Sequence, residues 1–185
     1  SFKISTGCIS TEGKIIIPFT YIGVKVHSLR AVAFIRDGNL FKHGLIDLEN
    51  KVLIPFQYRS IYPIGSLRYA VEDFNGKTAL YSENGKQITG FTIDSISQFN
   101  NNLAIIYEAG KQGLITREGE LRSEAKYREI VFDQKTIKAR LPDEWHVLDA
   151  QNKLSEIIKA DSVVSLGEAR YKIENAGMAQ LADIN

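Results

Sequence analysis

Apolar and polar residues alternate along this chain in short bursts, and none of them keeps a helical period. The stretches "RYAVEDF" (68–74), "LAIIYEA" (103–109), "TIKARLP" (136–142) and "ARYKIEN" (169–175) alternate with period two, as half-buried strands do. Shorter apolar pairs, Leu45-Ile46, Leu80-Tyr81, Leu114-Ile115 and Val147-Leu148, read as further strands. So do the β-branched runs Ile15-Ile16-Ile17 and Val52-Leu53-Ile54. No segment long enough for a packed helix has apolar positions three and four apart, so the pattern predicts an all-β fold.

The bursts recur. "GKIIIPFTYIGV" (13–24) and "NKVLIPFQYRSI" (50–61) are nearly the same phrase, and the register returns at Gly7, Gly44, Ala79, Gly113, His146 and Ala179. The spacings are 37, 35, 34, 33 and 33 residues, which gives units 7–43, 44–78, 79–112, 113–145 and 146–178 and a partial copy, 179–185. One column holds Gly13, Asn50, Gly85, Gly119, Asn152 and Asn185, the residue types that most readily accept positive φ, so it predicts a hairpin turn. Pro18 and Pro55 are expected to end the second strand of their units, because proline cannot donate to a ladder. The column Tyr21, Tyr58, Ile93, Tyr127, Ala160 should then open a third segment, and the alternating stretches make a fourth strand. Asn75-Gly76, Ala109-Gly110, Pro142-Asp143 and Ala176-Gly177 mark the turns back into the next copy.

One such unit cannot bury its own apolar face, so the expected architecture is a single array of about five β-meander repeats, stacked as an open solenoid. The alternative is propeller-like closure, in which residues 179–184 would share a sheet with 7–12. The longest irregular connection is expected over residues 28–40.

These residues resemble the bacterial WG-repeat (KWG-repeat) family, whose unit runs W-G-L-I-D-x-x-G-K-x-V-I-P-x-x-Y-D-x-I-x-x-F and later A-x-V-x-x-N-G-K. Matching positions here are Gly44-Leu45-Ile46-Asp47, Lys51, Ile54-Pro55, Tyr58, Ile61, Ala70-Val71 and Asn75-Gly76-Lys77. The next copy matches at Asn84-Gly85-Lys86, Ile96 and Phe99. The copies are degenerate: the eponymous tryptophan is present once, as Trp145, where the others have Thr6, His43, Thr78, Gln112 and Met178. The resemblance implies an interaction scaffold and brings no catalytic residue with it.

Composition narrows the chemistry. Of 185 residues, 44% are hydrophobic and 24% charged, an ordinary globular balance without a bilayer-spanning apolar run. Lys and Arg number 23 against 22 acidic residues, so no global positive field favours nucleic acid. Lys14, Lys51, Lys86 and Lys153 follow the hairpin turn, where they solubilise an edge. Cys8 stands alone, which excludes an internal disulfide and a cysteine zinc site, and it reads as a small strand residue. His27, His43 and His146 occupy three different columns, so no metal site is expected. Asp47/Glu49 and Asp143/Glu144 fall at turns and read as solvated carboxylates. No nucleophile elbow, Walker loop or dinucleotide fingerprint is present, so neither enzyme activity nor a cofactor is expected.

Aromatic columns remain. Tyr21, Tyr58 and Tyr127 share one, and Phe19, Phe56 and Phe91 another; both are expected to pack as core between repeats. The leading expectation is therefore a protein- or peptide-binding module without membrane insertion. Glycan or envelope binding is the alternative, and would need three or more of Tyr21, Tyr58, Tyr127, Phe99, Phe132 and Trp145 exposed in a row on one face. Copy six stops in its turn column, which suggests a piece of a longer protein, or closure by an N-terminal strand or a second copy.

Overall fold

The computed structural model describes residues 5–65, 67–133, 136–149, 153–167 and 170–183. The described residues form strands and turns, without a helix, in two units: residues 1–102 with 117–119, and residues 103–116 with 120–185.

In the first unit, β1 (Thr6–Ile9) pairs with β2 (Ile15–Tyr21). The meander β3 (Gly23–His27), β4 (Arg30–Asp37), β5 (Leu40–Asp47) and β6 (Val52–Tyr58) forms a four-stranded antiparallel sheet. Three strands follow as another, β7 (Ser60–Pro63), β8 (Arg68–Glu72) and β9 (Thr78–Ser82), and then the short β10 (Ser95–Ile96). The second unit repeats the scheme. Its meanders are β11 (Leu103–Glu108), β12 (Lys111–Thr116) and β13 (Leu121–Tyr127); then β14 (Glu129–Asp133), β15 (Thr136–Arg140), β16 (Trp145–Leu148) and β17 (Leu154–Ile158); then β18 (Ser162–Gly167), β19 (Arg170–Asn175) and β20 (Met178–Asp183). Sheets and sequence copies are out of phase: β3 and β4 end one copy, and β5 and β6 carry the next.

The turn column behaves as its residues require. Gly13, Asn50, Gly85 and Gly119 all have positive φ, from 64° to 90°; Asn152 and Asn185 lie outside the described residues. Three positions before each turn residue stands a short polar side chain that accepts from the turn backbone. Ser10 Oγ takes the Lys14 N–H at 3.1 Å, Asp47 Oδ1 the Lys51 N–H at 2.8 Å, and Asp149 Oδ1 the Lys153 N–H at 2.8 Å.

Three expectations need correction. Pro18 and Pro55 lie inside β2 and β6 rather than at their ends. Both are edge strands of their sheets, and both bulge at the proline, so no ladder bond is lost. The tyrosine column closes the second strand instead of opening the third: Tyr21, Tyr58 and Tyr127 are the last residues of β2, β6 and β13. The segment 28–40 is not irregular, because Arg30–Asp37 pairs with Leu40–Asp47 residue for residue.

The bulge has a steric cause. Gly44 alone faces Pro55, Phe56 and Gln57, Gly7 faces Pro18 to Thr20, and Gly113 faces Glu124 to Lys126. At these points the edge backbone lies on the glycine. A β-carbon would sit 2.5 Å from the Ile17 oxygen at Gly7, 2.9 Å from the Ile54 oxygen at Gly44, and 2.5 Å from the Ser123 oxygen at Gly113. Copies without this glycine pair differently. Beside Ala79 the partner segment peels off, leaving only the isolated bridges Thr78–Ile93 and Tyr81–Gln87. At His146 the bulge is gone, and Trp145, His146 and Val147 pair in plain register with Ile158, Ile157 and Glu156.

The column that holds Trp145 ties down the crossover to the next sheet. Thr6 Oγ1 donates to the Ile22 carbonyl at 3.0 Å, Thr78 Oγ1 to the Asp94 carbonyl at 2.9 Å, and Gln112 Oε1 accepts the Ile130 N–H at 2.6 Å. Trp145 is buried under the Arg140 guanidinium, 5.4 Å from its ring centroid.

Each sheet core is shared with a neighbour in its own unit. Val32, Leu45 and Ile54 pack with Ile61, Val71 and Ala79, while Ala31, Ala33 and Ile46 pack on the other face with Ile17 and Tyr21. Leu103, Ile105, Leu114 and Tyr127 meet Ile130, Ile137, Ala139 and Leu148; Trp145, Val147 and Ile158 meet Val163, Tyr171 and Ile173. Gly44→Ala should therefore lower stability by about 1–3 kcal/mol in urea unfolding, because the added methyl overpacks a fixed backbone contact. Gly90→Ala, whose methyl would meet Thr92 at an ordinary 3.7 Å, should change it by less than about 0.5 kcal/mol.

Candidate interaction groove

The aromatic columns form a ladder between sheets. Phe56 stacks on Tyr21 with centroids 5.4 Å apart and planes 18° off parallel, and Phe91 stacks on Tyr58 at 5.6 Å and 19°. Each tyrosine also reaches a polar group on the following sheet: Tyr21 OH donates to Asn50 Oδ1 at 2.7 Å, and the Tyr58 and Tyr81 hydroxyls are 2.9 Å apart. Burial raises the Tyr21 pKa against the opposing bond to Asn50, and burial and then Tyr58 raise that of Tyr81. Of the six side chains from which a glycan platform needed three or more in the open, Tyr21, Tyr127 and Trp145 are buried and Tyr58, Phe99 and Phe132 half-buried. Core packing thus holds for these columns with one correction. Phe19 is 51% exposed, and among the described residues no tyrosine ring stacks on it.

In the second unit the ladder changes character. Tyr127 OH meets His146 Nδ1 at 3.1 Å, and His146 Nε2 meets Glu144 Oε1 at 2.9 Å. The plain register of β16 and β17 permits this, since His146 fills the column that is glycine in three other copies. Tyr127 and His146 line a groove of about 320 Å³. Leu148 and Leu154 form its apolar wall, with Arg122, Ser123, Glu124 and Lys126 of the bulged strand β13 opposite. The Lys126 ammonium lies 5.2 Å from the Tyr127 ring centroid, and Arg122 pairs with Glu120 at 3.1 Å. Both imidazole nitrogens are engaged, which fixes the ring between Tyr127 and Glu144.

The other residues read from the sequence are dispersed. Cys8 is half-buried in β1. Asp47 caps its turn, taking the Glu49 N–H at 3.0 Å, and Lys14, Lys51, Lys86 and Lys153 are exposed. Glu144, expected as a solvated turn residue, is instead half-buried against His146. His27 lies at the end of β3 and His43 in β5, where its buried Nδ1 has no hydrogen-bond partner. Burial lowers the pKa of both, with Lys25 adding to the effect at His27 and the backbone of Arg59 and Tyr58 opposing it at His43. Among the described residues no group of three or more His, Cys, Asp or Glu side chains converges as metal ligands.

One feature the sequence reading passed over is a column two positions after the turn residue. It holds Ile15, Val52, Leu121 and Leu154, in β2, β6, β13 and β17, and these side chains are 46–59% exposed; the copy between them has Gln87. The apolar character of four of these five positions is the signal the sequence carries.

Sequence comparison places WG containing repeats at residues 7–23, 44–66 and 79–111. No curated protein matches the chain in sequence. Among solved structures, the WD40 β-propeller domain of Doa1 is similar, at 8% identity and a TM-score of 0.36 over 94% of this chain and 69% of that one. So is PorZ, an essential bacterial surface component of the type-IX secretion system of Porphyromonas gingivalis, at 11% identity and a TM-score of 0.36. The alignment to PorZ covers 94% of this chain and 29% of that one, less than a third of its length.

Two outcomes follow from the geometry. Tyr127→Phe should cost about 1–3 kcal/mol in urea unfolding, because it leaves the His146 Nδ1 without its partner. Stability should also fall as pH drops through about 6.5, where the unfolded chain takes up protons that half-buried His27 and His43 resist. His43→Gln, which borrows the residue used at position 112 of the same column, should flatten that fall between about pH 7 and 5 in urea midpoints.

Proposed function

We propose that this chain, which matches WG containing repeats at residues 7–23, 44–66 and 79–111, is a non-catalytic scaffold that binds extended segments of partner proteins along its outer strands. The observation that carries this reading is the exposed apolar column Ile15, Val52, Leu121 and Leu154 on the edge strands β2, β6, β13 and β17. An edge strand offers unpaired main-chain groups to an incoming strand, and a pocket beside it selects side chains. The groove supplies such a pocket next to Leu154, with Leu148 for an apolar side chain and Ser123 and Lys126 for polar ones. Its volume is at the lower end of the roughly 300–1,000 Å³ typical of ligand sites, which suits one or two side chains of a docked strand.

The reading also draws on regularity. Each copy spends its strongest polar and aromatic groups on turns, crossovers and inter-sheet stacking, where they hold the array together. An array of equivalent edges gains avidity for a partner that repeats its own motif, without any single strong site.

Random dodecapeptides displayed on phage and selected on the intact chain should yield binders of extended, alternating character. In titration calorimetry, Leu154→Asp and Leu121→Asp should weaken them by about tenfold or more, the effect of removing an anchor at a small interface. A selection that enriches nothing, or binders indifferent to substitution on every edge strand, would overturn the proposal.

A further inference from the structure

The hairpin of β4 and β5 is longer than the fold requires. Each strand has eight residues, against five in β8 and β9, six in β11 and β12, and five and four in β15 and β16. The extra length is an overhang. Pairing with β3 stops at Gly23–Phe34 and pairing with β6 at His43–Tyr58, so Ile35–Lys42, Arg36–Phe41 and Asp37–Leu40 form a two-stranded ribbon beyond the sheet. A bare two-stranded ribbon is marginal in water, and apolar side chains on it need a reason. Leu40 and Phe41 are both 50% exposed.

The two faces of this ribbon differ. Cross-strand pairing puts Phe34, Arg36, Phe41 and His43 on one face. Phe34 and Phe41 meet edge-to-face, with centroids 5.8 Å apart and planes at 90°, and Phe34 leans on His43 at 5.1 Å. The Phe34 ring lies over Gly23 of the neighbouring strand, where a β-carbon would come within 2.1 Å of it. Absence of a side chain at Gly23 is what seats the ring. Arg36 Nε donates to the Gly38 carbonyl at 2.9 Å, and the cross-strand partner of Arg36 is Phe41. The ribbon's only carboxylate, Asp37, belongs to the opposite face, where it pairs with Lys42. One face therefore carries rings and a cation with no acid among them.

We propose that this face docks an acidic peptide segment that presents a ring, an aromatic one or the pyrrolidine of proline, against Phe34 and Phe41 while a neighbouring carboxylate pairs with Arg36. Edge-to-face aromatics leave an open angle that a third ring fills, and a guanidinium holds a carboxylate in the planar manner suited to it. The repeat itself gives no account of the overhang, since the other hairpins close without one. The site is separate from the groove at Leu154 and stands or falls independently of it.

Subtractive selection tests it. Displayed random dodecapeptides are first depleted on the Phe34→Ser/Phe41→Ser variant, whose fold is checked by circular dichroism, and then captured on the unaltered chain. The surviving pool should be rich in Asp and Glu around Trp, Tyr, Phe or Pro. Its members should bind about tenfold or more weakly to Phe41→Ser and to Arg36→Glu. Lysine-for-acid versions of the peptides should recover binding to Arg36→Glu alone. Gly23→Val, which keeps every ring but unseats Phe34, should weaken binding as well. An empty pool, a pool without acidic residues, or equal binding to the variants would overturn the proposal. It is equally overturned if the Phe41-dependent ligand is instead a phosphatidylserine-containing vesicle or an arrayed oligosaccharide.

Discussion

The close approach of an edge strand to one glycine per copy is the contact on which the rest of the geometry depends. At Gly7, Gly44 and Gly113 the neighbouring backbone lies where a β-carbon would be, so that strand must fit three residues opposite one. The resulting bulge makes proline harmless at positions 18 and 55, because a bulged edge has no ladder bond there to lose. It also twists the end of the strand, and in the same three copies the strand ends in a tyrosine that leaves its own sheet for the next. Loss of the glycine loosens the arrangement at Ala79 and straightens it at His146. Proline is dispensable by comparison: Gly113 keeps its bulge with Glu124 where the earlier copies have proline.

The second constraint is that most sheets are covered on both sides. In β5, Leu45 faces one neighbouring layer and Ile46 the other, and both are fully buried. Paired apolar residues are the mark of a strand with two dry faces, as opposed to the alternation of a strand with one. Alanines at 31 and 33 thin one layer, and larger residues at 32, 45 and 54 fill the other. A lone copy would leave one of these faces wet, which is why the unit is repeated. The stacked tyrosines and phenylalanines add directional contacts that a layer of aliphatic side chains lacks.

What these constraints leave over is informative about function. Turns are capped locally, crossovers are tied by the Trp145 column, and the aromatic columns are largely taken up between sheets. Apolar residues at Ile15, Val52, Leu121 and Leu154, and the ring-bearing overhang of β4 and β5, have no such structural role. They are surplus to the repeat, and the proposed binding surfaces rest on them.

The sequence by itself determined the strands, the turn positions and the period. Those depend on local chemistry: alternation, β-branching, and the φ > 0 tolerance that Gly13, Asn50, Gly85 and Gly119 supply. Burial of Tyr21 and Tyr127 was legible too, because a repeated aromatic column has to go somewhere dry. Three things were decided only by tertiary structure. Pro18 and Pro55 read as strand ends, because nothing local announces that Gly7 and Gly44 draw the edge into a bulge. The residues 28–40 read as a loop, because "RAVAFIRDGNLF" gains its partner only when β4 and β5 pair. Glu144 read as a turn carboxylate, and only folding brings it to His146 and Tyr127, from different strands. In each case the deciding contact joins residues apart in sequence, and local pattern holds no record of which distant backbone arrives, or how close.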